Sequence, residues 1–255
     1  MRHPSLLLMT LLLLAACGRT PPAETAAAPV AVAATQPGLL PAVTDYLAGL
    51  ATVEQATAPV SLEALFAKAE AAQNALMEVT GEQAVLERYS AAEFSALQAA
   101  VRGLLLHREM DIYAQPDPAF FLTLARAHGR PADIAFFEQY GRTWGPDLVP
   151  VYLKLRPQPS PCVRFGEGLI APLYAGWQQF ASQHAGAYAA QAAQNLRDLE
   201  EAVALGTCAC DGVESVQREL AGFLKQFPGT PQAALIAARS EQLANDPDVM
   251  PVNCR

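Results

Sequence analysis

The sequence predicts an all-α protein made of stacked helical hairpins. Alanine and leucine dominate its 255 residues, aromatic residues make up only 7%, and no run of Val, Ile and Thr alternates with period two. Apolar residues instead recur at spacings of three and four, which is the period of a helix with one buried face. Capping residues, glycines and prolines divide this pattern into short segments, so we expect hairpins of consecutive helices.

The predicted N-terminal helical region is residues 39–145. Its first two helices have separate start signals. One begins near Pro41. The other has Ser61 as its N-cap and ends, or is interrupted, at Gly81. The apolar stripe of this second helix is Leu62, Leu65, Phe66, Ala69 and Leu76.

A long third helix is predicted from a capping box, because Ser90 is followed three residues later by Glu93. Apolar residues at helical spacing extend it to about Met110. These residues are Phe94, Leu97, Val101, Leu104 and Leu105.

A tight helical hairpin is predicted next. Asp117 is an N-cap with Pro118 at the first helical position, and Gly129 marks the end of this helix. Pro131 opens the second helix of the pair, and Gly141 closes it.

A proline-rich connection, residues 146–161, separates the helices described so far from the C-terminal region, residues 162–255. Five prolines lie between Gly145 and residue 161, and they forbid a continuous helix. The connection is therefore either a boundary or an extended strip that crosses the molecule.

The C-terminal region contains an internal repeat of 43 residues. Phe180, Gln183, Gly186 and Ala190 recur as Phe223, Gln226, Gly229 and Ala233. In both copies an amphipathic helix ends near the glycine and another begins shortly after it. We therefore expect hairpins of helices 167–184 with 188–205 and 212–227 with 231–245, and Asp211 with Glu214 as a capping box for the third of these helices.

The segment from Phe223 to Pro231, followed by an alanine-rich helix, resembles the helix-turn-helix joint of tetratricopeptide-type repeats in periplasmic and outer-membrane lipoproteins. The repeat length differs from the usual 34 or so residues, because an insertion carrying Cys208 and Cys210 lies between the hairpins. The resemblance implies a partly repeat-like helical fold.

The N-terminus has the three parts of an export signal: Arg2, an apolar run from Leu6, and small residues before Cys17. The run is too short for a bilayer core, which needs about 20 residues. Leu-Ala-Ala before Cys17 resembles the lipobox of bacterial lipoproteins. The resemblance implies that residues 1–16 are removed as a signal peptide and that Cys17 is diacylated on its thiol and acylated on its amine.

The position after the lipidated cysteine is Gly18, where the family's inner-membrane retention signal would have Asp. The resemblance therefore points to the periplasmic face of the outer membrane in a host with two membranes. Residues 17–38 are rich in Ala, Pro and Thr and predict a lipidated, disordered tether.

The charge of the chain excludes some ligands. Its formal net charge is −8 and it contains no basic cluster, which argues against nucleic acid or anionic lipid as a partner. Contact with the membrane is therefore expected only through the lipid on Cys17.

Four cysteines follow Cys17: Cys162, Cys208, Cys210 and Cys254. An even number in an exported chain predicts disulfides, with a metal site or a redox role as the alternatives. In an antiparallel hairpin the start of the first helix lies beside the end of the second. That geometry pairs Cys162 with Cys208, and Cys210 with Cys254.

The sequence predicts no catalytic residue, metal ligand or cofactor. His107, His128 and His184 each lie near a predicted helix end, and neither an H-E-x-x-H nor a G-x-S-x-G pattern occurs. Trp144 and Trp177 are candidate anchors for a partner protein, with packing in the core as the alternative.

These observations favour a non-enzymatic, lipid-anchored module that binds another protein at the outer membrane. Stacked helical hairpins form extended grooves that suit such binding. The alternatives are an immunity lipoprotein that neutralises a toxin delivered to the periplasm, a cell-envelope hydrolase and a structural assembly factor.

Overall fold

A computed structural model describes residues 39–108, 112–145, 149–155, 161–206 and 208–245. These residues belong to one compact unit. They are predominantly helical, and the all-α prediction of stacked hairpins is confirmed. The signal peptide, Cys17 and the tether lie outside the described residues.

Nine α-helices occur in the described ranges, together with a 3-10 turn at Val85–Arg88. Helices α1 with α2, α4 with α5, α6 with α7, and α8 with α9 pack as consecutive pairs. Their bounds are α1 Pro41–Glu54, α2 Glu63–Met77, α3 Ala91–Ala100, α4 Pro118–His128, α5 Pro131–Thr143, α6 Ile170–Gln183, α7 Ala189–Leu205, α8 Val213–Gln226 and α9 Ala233–Asn245.

Three antiparallel two-stranded ladders join the helices at their ends. The strands are β1 Val79–Thr80, β2 Gln83–Ala84, β3 Leu104–Arg108, β4 Ile112–Pro116, β5 Leu153–Lys154 and β6 Cys162–Val163. The β3–β4 pair matters for the site described below, because β4 packs against α2.

Two predicted helix starts are confirmed in atomic detail. The backbone N–H of Glu93 donates to Ser90 Oγ at 3.3 Å, and the N–H of Ser90 donates to Glu93 Oε2 at 2.7 Å. At α4, the N–H of Ala119 donates to Asp117 Oδ1 at 2.9 Å. Each bond satisfies a backbone donor that the helix itself leaves without a partner.

The prediction of one long helix from Ser90 to about Met110 is wrong. Helix α3 ends at Ala100, and Leu104–Arg108 is strand β3, paired with β4 from Leu104 opposite Pro116 onwards. Between them Gly103 has φ +79°, a left-handed conformation that a helix cannot continue through. Tertiary packing of the leucines in strand form therefore overrides their helix propensity.

Three smaller predictions about helix ends are also wrong. Helix α2 ends at Met77, and Gly81, at φ +77°, forms the β1–β2 turn. Helix α5 continues through Gly141 to Thr143, because one glycine costs a helix only about 1 kcal/mol and Thr143 is buried at its end. The N-cap of α8 is Gly212 at φ +87°, without a side-chain cap, so Asp211 and Glu214 form no capping box.

One buried hydrophobic cluster contains side chains from every one of these helices. Its centre is aromatic: Phe66 packs edge-on against Phe136 and Phe137 at centroid distances of 5.3 Å, and Tyr188 stacks on Phe136 at 3.8 Å. Such pairs add about 1 kcal/mol each beyond the area that they bury. Since Tyr188 precedes α7 and the phenylalanines lie on α2 and α5, the cluster joins the hairpins on both sides of the proline-rich connection.

The described part of that connection is an extended strip. Strand β5 pairs with β6, and the N–H of Arg164 donates to the carbonyl of Tyr152 at 2.8 Å. Tyr152 is buried. No helix among the described residues is long and apolar enough to cross a bilayer.

Candidate binding cleft

A cleft of about 350 Å³ opens between α2, β4, α5 and α7, and we call it the α2–α7 cleft. Its walls carry polar side chains from two helices, and aromatic side chains lie beside them. The lining residues are Phe66, Glu70 and Gln73 of α2, Gln115 of β4, Tyr140 and Trp144 at the end of α5, and Ala190, Gln191, Gln194, Asn195 and Asp198 of α7.

Gln115 lines the cleft from strand β4. Its side chain is only 6% exposed, and its Nε2 has no hydrogen-bond acceptor among the described residues. Burial raises the pKa of the Tyr140 hydroxyl, and the nearby Gln115 amide partly opposes that rise. An unpaired buried donor costs about 1–3 kcal/mol. Gln115 therefore has an unused donor at the wall of the cleft.

Trp144 supplies a second donor of the same kind. Its indole Nε1 is buried and has no acceptor within the described ranges, while the ring as a whole is half-buried. The ring lies 6.0 Å from that of Tyr140, and the Trp144 backbone N–H donates to the Tyr140 carbonyl at 2.9 Å. The cleft thus combines a fixed aromatic surface with two donors that lack acceptors.

Two carboxylates stand on facing helices of the cleft. Glu70 Oε2 accepts from Gln191 Nε2 at 3.0 Å, and Asp198 Oδ1 accepts from Gln194 Nε2 at 2.6 Å. Burial raises the pKa of Glu70, and the Gln191 amide partly opposes that rise. Burial also raises the pKa of Tyr152 to about 12, and the negative charge of Asp198 adds to that increase.

The α2–α7 cleft is acidic. Among the described residues that line it, none is Lys, Arg or His. The nearest cation on α7 is the exposed Arg197, which donates to Gln194 Oε1 and thus supports the wall from outside. A ligand here meets carboxylates, amides and aromatic rings.

The predicted disulfide pairing is wrong, although disulfide formation is confirmed for three of the cysteines. Cys162 bonds to Cys210, with Cα atoms 5.1 Å apart. This excludes both Cys162–Cys208 and Cys210–Cys254. Cys208 is disulfide-bonded as well, and Cys254 lies outside the described residues.

The backbone explains why Cys162 meets this segment. Val163 donates its N–H to the Cys208 carbonyl at 2.6 Å and accepts from the N–H of Cys210 at 2.9 Å, so residues 163 and 209 pair in parallel. Side chains alternate along a strand, which puts both Cys208 and Cys210 on the side of Cys162. The hairpin argument therefore places Cys162 near the correct segment. Both cysteines of that segment are its neighbours, and the structure joins Cys162 to Cys210.

Trp177 is not available to a partner protein. Its side chain is 0% exposed, and Nε1 donates to Thr143 Oγ1 at 2.9 Å within the core. Only Trp144, of the two predicted anchors, lines the cleft.

The histidines lie away from the cleft. His107 stacks on Tyr113 at 4.9 Å, His128 ends α4, and His184 follows α6 near Phe180. His107 lies in β3, so its expected position at a helix end is wrong. In the described part of the chain, no group of three or more His, Cys, Asp or Glu side chains is placed to hold a metal ion.

The sequence did contain a signal for the cleft. Gln191, Gln194, Asn195 and Asp198 follow one another at spacings that put them on one face of a helix, and all four line the cleft. A polar stripe of amides usually means a solvated helix face. The stripe forms a cleft only together with Glu70 and Gln115, which are more than 70 residues away in sequence.

Comparison of the chain with protein-family models, with curated proteins and with solved structures found no match.

Proposed function

We propose that this chain is a non-enzymatic, lipid-anchored protein of the outer membrane whose periplasmic body binds another protein through the α2–α7 cleft. The observation that carries the proposal is the pair of buried donors, Gln115 Nε2 and Trp144 Nε1, that lack acceptors beside an open polar cleft. A ligand that brings two acceptor oxygens removes a cost that the free protein bears.

The amide side chains of the cleft favour a peptide segment as the ligand. Glutamine and asparagine each present a donor and an acceptor side by side, and so does every residue of an extended backbone. Gln73, Gln191 and Asn195 can pair with such a segment while its carbonyls meet the two donors. The lipobox-like segment before Cys17 supports anchoring of the body beside the membrane, within reach of envelope proteins.

Binding through the cleft is tested by site-specific photo-crosslinking in intact cells. A photoreactive residue in place of the exposed Gln194 should give a discrete protein adduct, whereas one in place of the exposed Lys225 on α8 should not. The Gln194 adduct should disappear when Trp144→Ala is added. An adduct that forms equally from both positions, or that survives Trp144→Ala, would reject the cleft as the binding site.

Anchoring is tested by Cys17→Ser. The variant should lose labelling by a fatty-acid analogue and should leave the outer-membrane fraction, because a chain with a formal net charge of −8 is repelled by anionic lipid. If it still labels and still fractionates with the outer membrane, the lipoprotein assignment is wrong.

A second candidate function, an envelope hydrolase, is favoured by one observation. Glu70, whose pKa is raised by burial, shares the cleft with Asp198. Two carboxyl groups in one cleft, one of them in a buried environment, are the kind of pair that acid–base hydrolysis uses. Release of soluble fragments from purified cell wall by the wild type, and its loss in Glu70→Gln, would establish this function in place of simple binding.

A further inference from the structure

We propose that the segment bound in the α2–α7 cleft carries an arginine side chain, held between Glu70 and Asp198 and stacked on Trp144. This inference rests on the proposed function and names the chemistry of the partner. It begins from the same independent sign of a ligand site, the Gln115 side chain that is more than nine-tenths buried and unpaired in the described structure.

The two carboxylates have capacity left for a ligand. A carboxylate offers about four acceptor positions. One hydrogen bond to each is seen in the described residues, from Gln191 to Glu70 and from Gln194 to Asp198. Both of these bonds come from neutral amides, which orient the carboxylates without cancelling their charge.

The acidic lining of the cleft favours a ligand with a positive charge. Within the described residues, its lining contains two acidic residues and no basic one. Arg197, the basic residue of α7, is exposed and donates to the Gln194 amide oxygen. In a partly buried site, where water screens charge poorly, a ligand cation between two carboxylates gains more than it would at an open surface.

The aromatic surface selects arginine over lysine. A guanidinium is planar, stacks on an indole face and donates in pairs to carboxylates, whereas an ammonium is a compact and strongly hydrated charge. Trp144 is half-buried beside Tyr140, which fixes the ring as a platform. The apolar stem of arginine can pack along that platform while its head reaches the carboxylates.

The backbone of the bound segment completes the match. Its carbonyl oxygens meet Gln115 Nε2 and Trp144 Nε1, the two donors that lack acceptors. Arginine in the segment therefore provides specificity, and the peptide carbonyls provide the binding that the proposed function already requires.

The test is selection of a random dodecapeptide library displayed on phage against the purified, folded chain. Peptides with arginine should be enriched, and synthetic versions with citrulline, which keeps the shape of arginine but removes its charge, should bind at least tenfold more weakly. Replacement of that arginine by lysine should weaken binding by a smaller factor. Binding is measured by calorimetry.

Matched variants separate the cleft from the general acidity of the chain. Glu70→Gln with Asp198→Asn should weaken binding of the arginine peptide by tenfold or more and should bring the arginine and citrulline peptides close together in affinity. Glu201→Gln, which removes a charge from an exposed position on α7, should leave the affinity unchanged.

The outcomes distinguish this inference from the proposed function. Enriched peptides without basic residues that still lose binding in Trp144→Ala would overturn the arginine assignment and leave the proposed function intact. Free arginine amide binding as tightly as the peptide would identify a small cation as the ligand and overturn the inference. No enrichment at all, with no crosslinked adduct from Gln194, would reject both.

Discussion

Asp133 shows how much of this fold can depend on one side chain. Its carboxylate accepts from the N–H of Leu62 at 2.9 Å, from the N–H of Arg130 at 2.7 Å and from the hydroxyl of Tyr188 at 2.6 Å. Asp133 is 1% exposed, and Leu62 and Tyr188 are buried as well, so these two donors cannot turn to water instead. Burial, with a further contribution from Asp133, raises the pKa of Tyr188, which therefore stays a donor at any ordinary pH.

Asp133→Ala should lower the free energy of unfolding by about 3 kcal/mol or more, because it leaves three donors without their acceptor. Tyr188→Phe removes one donor and keeps the other two bonds, so its cost should be about 1–2 kcal/mol. Urea denaturation of both variants tests whether Asp133→Ala loses more free energy of unfolding than Tyr188→Phe. Equal costs would mean that the backbone donors find other partners.

Glu70 gives the stability of the protein a pH dependence. Burial raises the pKa of this carboxyl in the folded state above its unfolded value. The folded state therefore holds the proton more tightly, and this stabilising contribution is present at acidic pH and lost as the pH rises through the folded pKa.

Glu70→Gln should consequently raise the melting temperature at pH 7 and change it little at pH 4, since the amide keeps an oxygen that can accept from Gln191. Glu219, whose pKa is also raised by burial, is present in both proteins and cancels in the comparison. Thermal denaturation across pH 4–8 measures the difference. A variant that is less stable than the wild type at pH 7 would contradict this reasoning.

Among the elements, β3–β4 depends on a single glycine. A Cβ on Gly103 would lie 2.5 Å from Cδ1 of Phe120 and would also collide with the hydroxyl of Tyr46, and its φ of +79° is unfavourable for any other residue. Gly168 has a similar φ of +73°, but a Cβ there would meet nothing within 4 Å. The two glycines thus have similar backbone conformations and differ mainly in the free volume around an added Cβ.

Gly168→Ala should cost about 1 kcal/mol of stability from backbone strain alone. Gly103→Ala should cost about 1–3 kcal/mol more, because the added methyl group forces the buried neighbours to move. Chemical denaturation of the pair isolates the steric contribution. Similar losses at the two glycines would show that Phe120 and Tyr46 shift at little cost.

The elements that the sequence predicted well are those with local signals. Ser90 with Glu93 and Asp117 with Pro118 define helix starts from residues within one turn. Strand β3 has no such signal, because Leu104 to Leu106 suit a helix and become a strand only through β4 and the packing of α2. The same holds for the cleft: the α7 stripe is visible locally, whereas Gln115 joins it only in the folded chain.

At the scale of the whole molecule, the Cys162–Cys210 disulfide closes a loop that contains all of α6 and α7. The cysteines are 48 residues apart, and a loop of that length restricts the unfolded chain by about 4 kcal/mol in the entropy model, with smaller values common in practice. The bond therefore stabilises a large part of the C-terminal region.

Replacing Cys162 and Cys210 together by serine should lower the free energy of unfolding by about 2–4 kcal/mol. Peptide mapping of the unreduced wild type should recover Cys162 linked to Cys210. A fragment that links Cys162 to Cys208 would contradict the pairing that the structure shows.

The contact between Tyr188 and the residues before the proline-rich connection also bears on how the chain matures. A nascent chain emerges from its N-terminus, so α1 to α5 are made before Tyr188 exists to stack on Phe136 or to donate to Asp133 and Glu63. Until then the first hairpins lack one ring of their aromatic core, and Asp133 lacks one of the three donors that it has in the folded protein. We therefore expect the earlier half to reach its full stability only after the later half has been made.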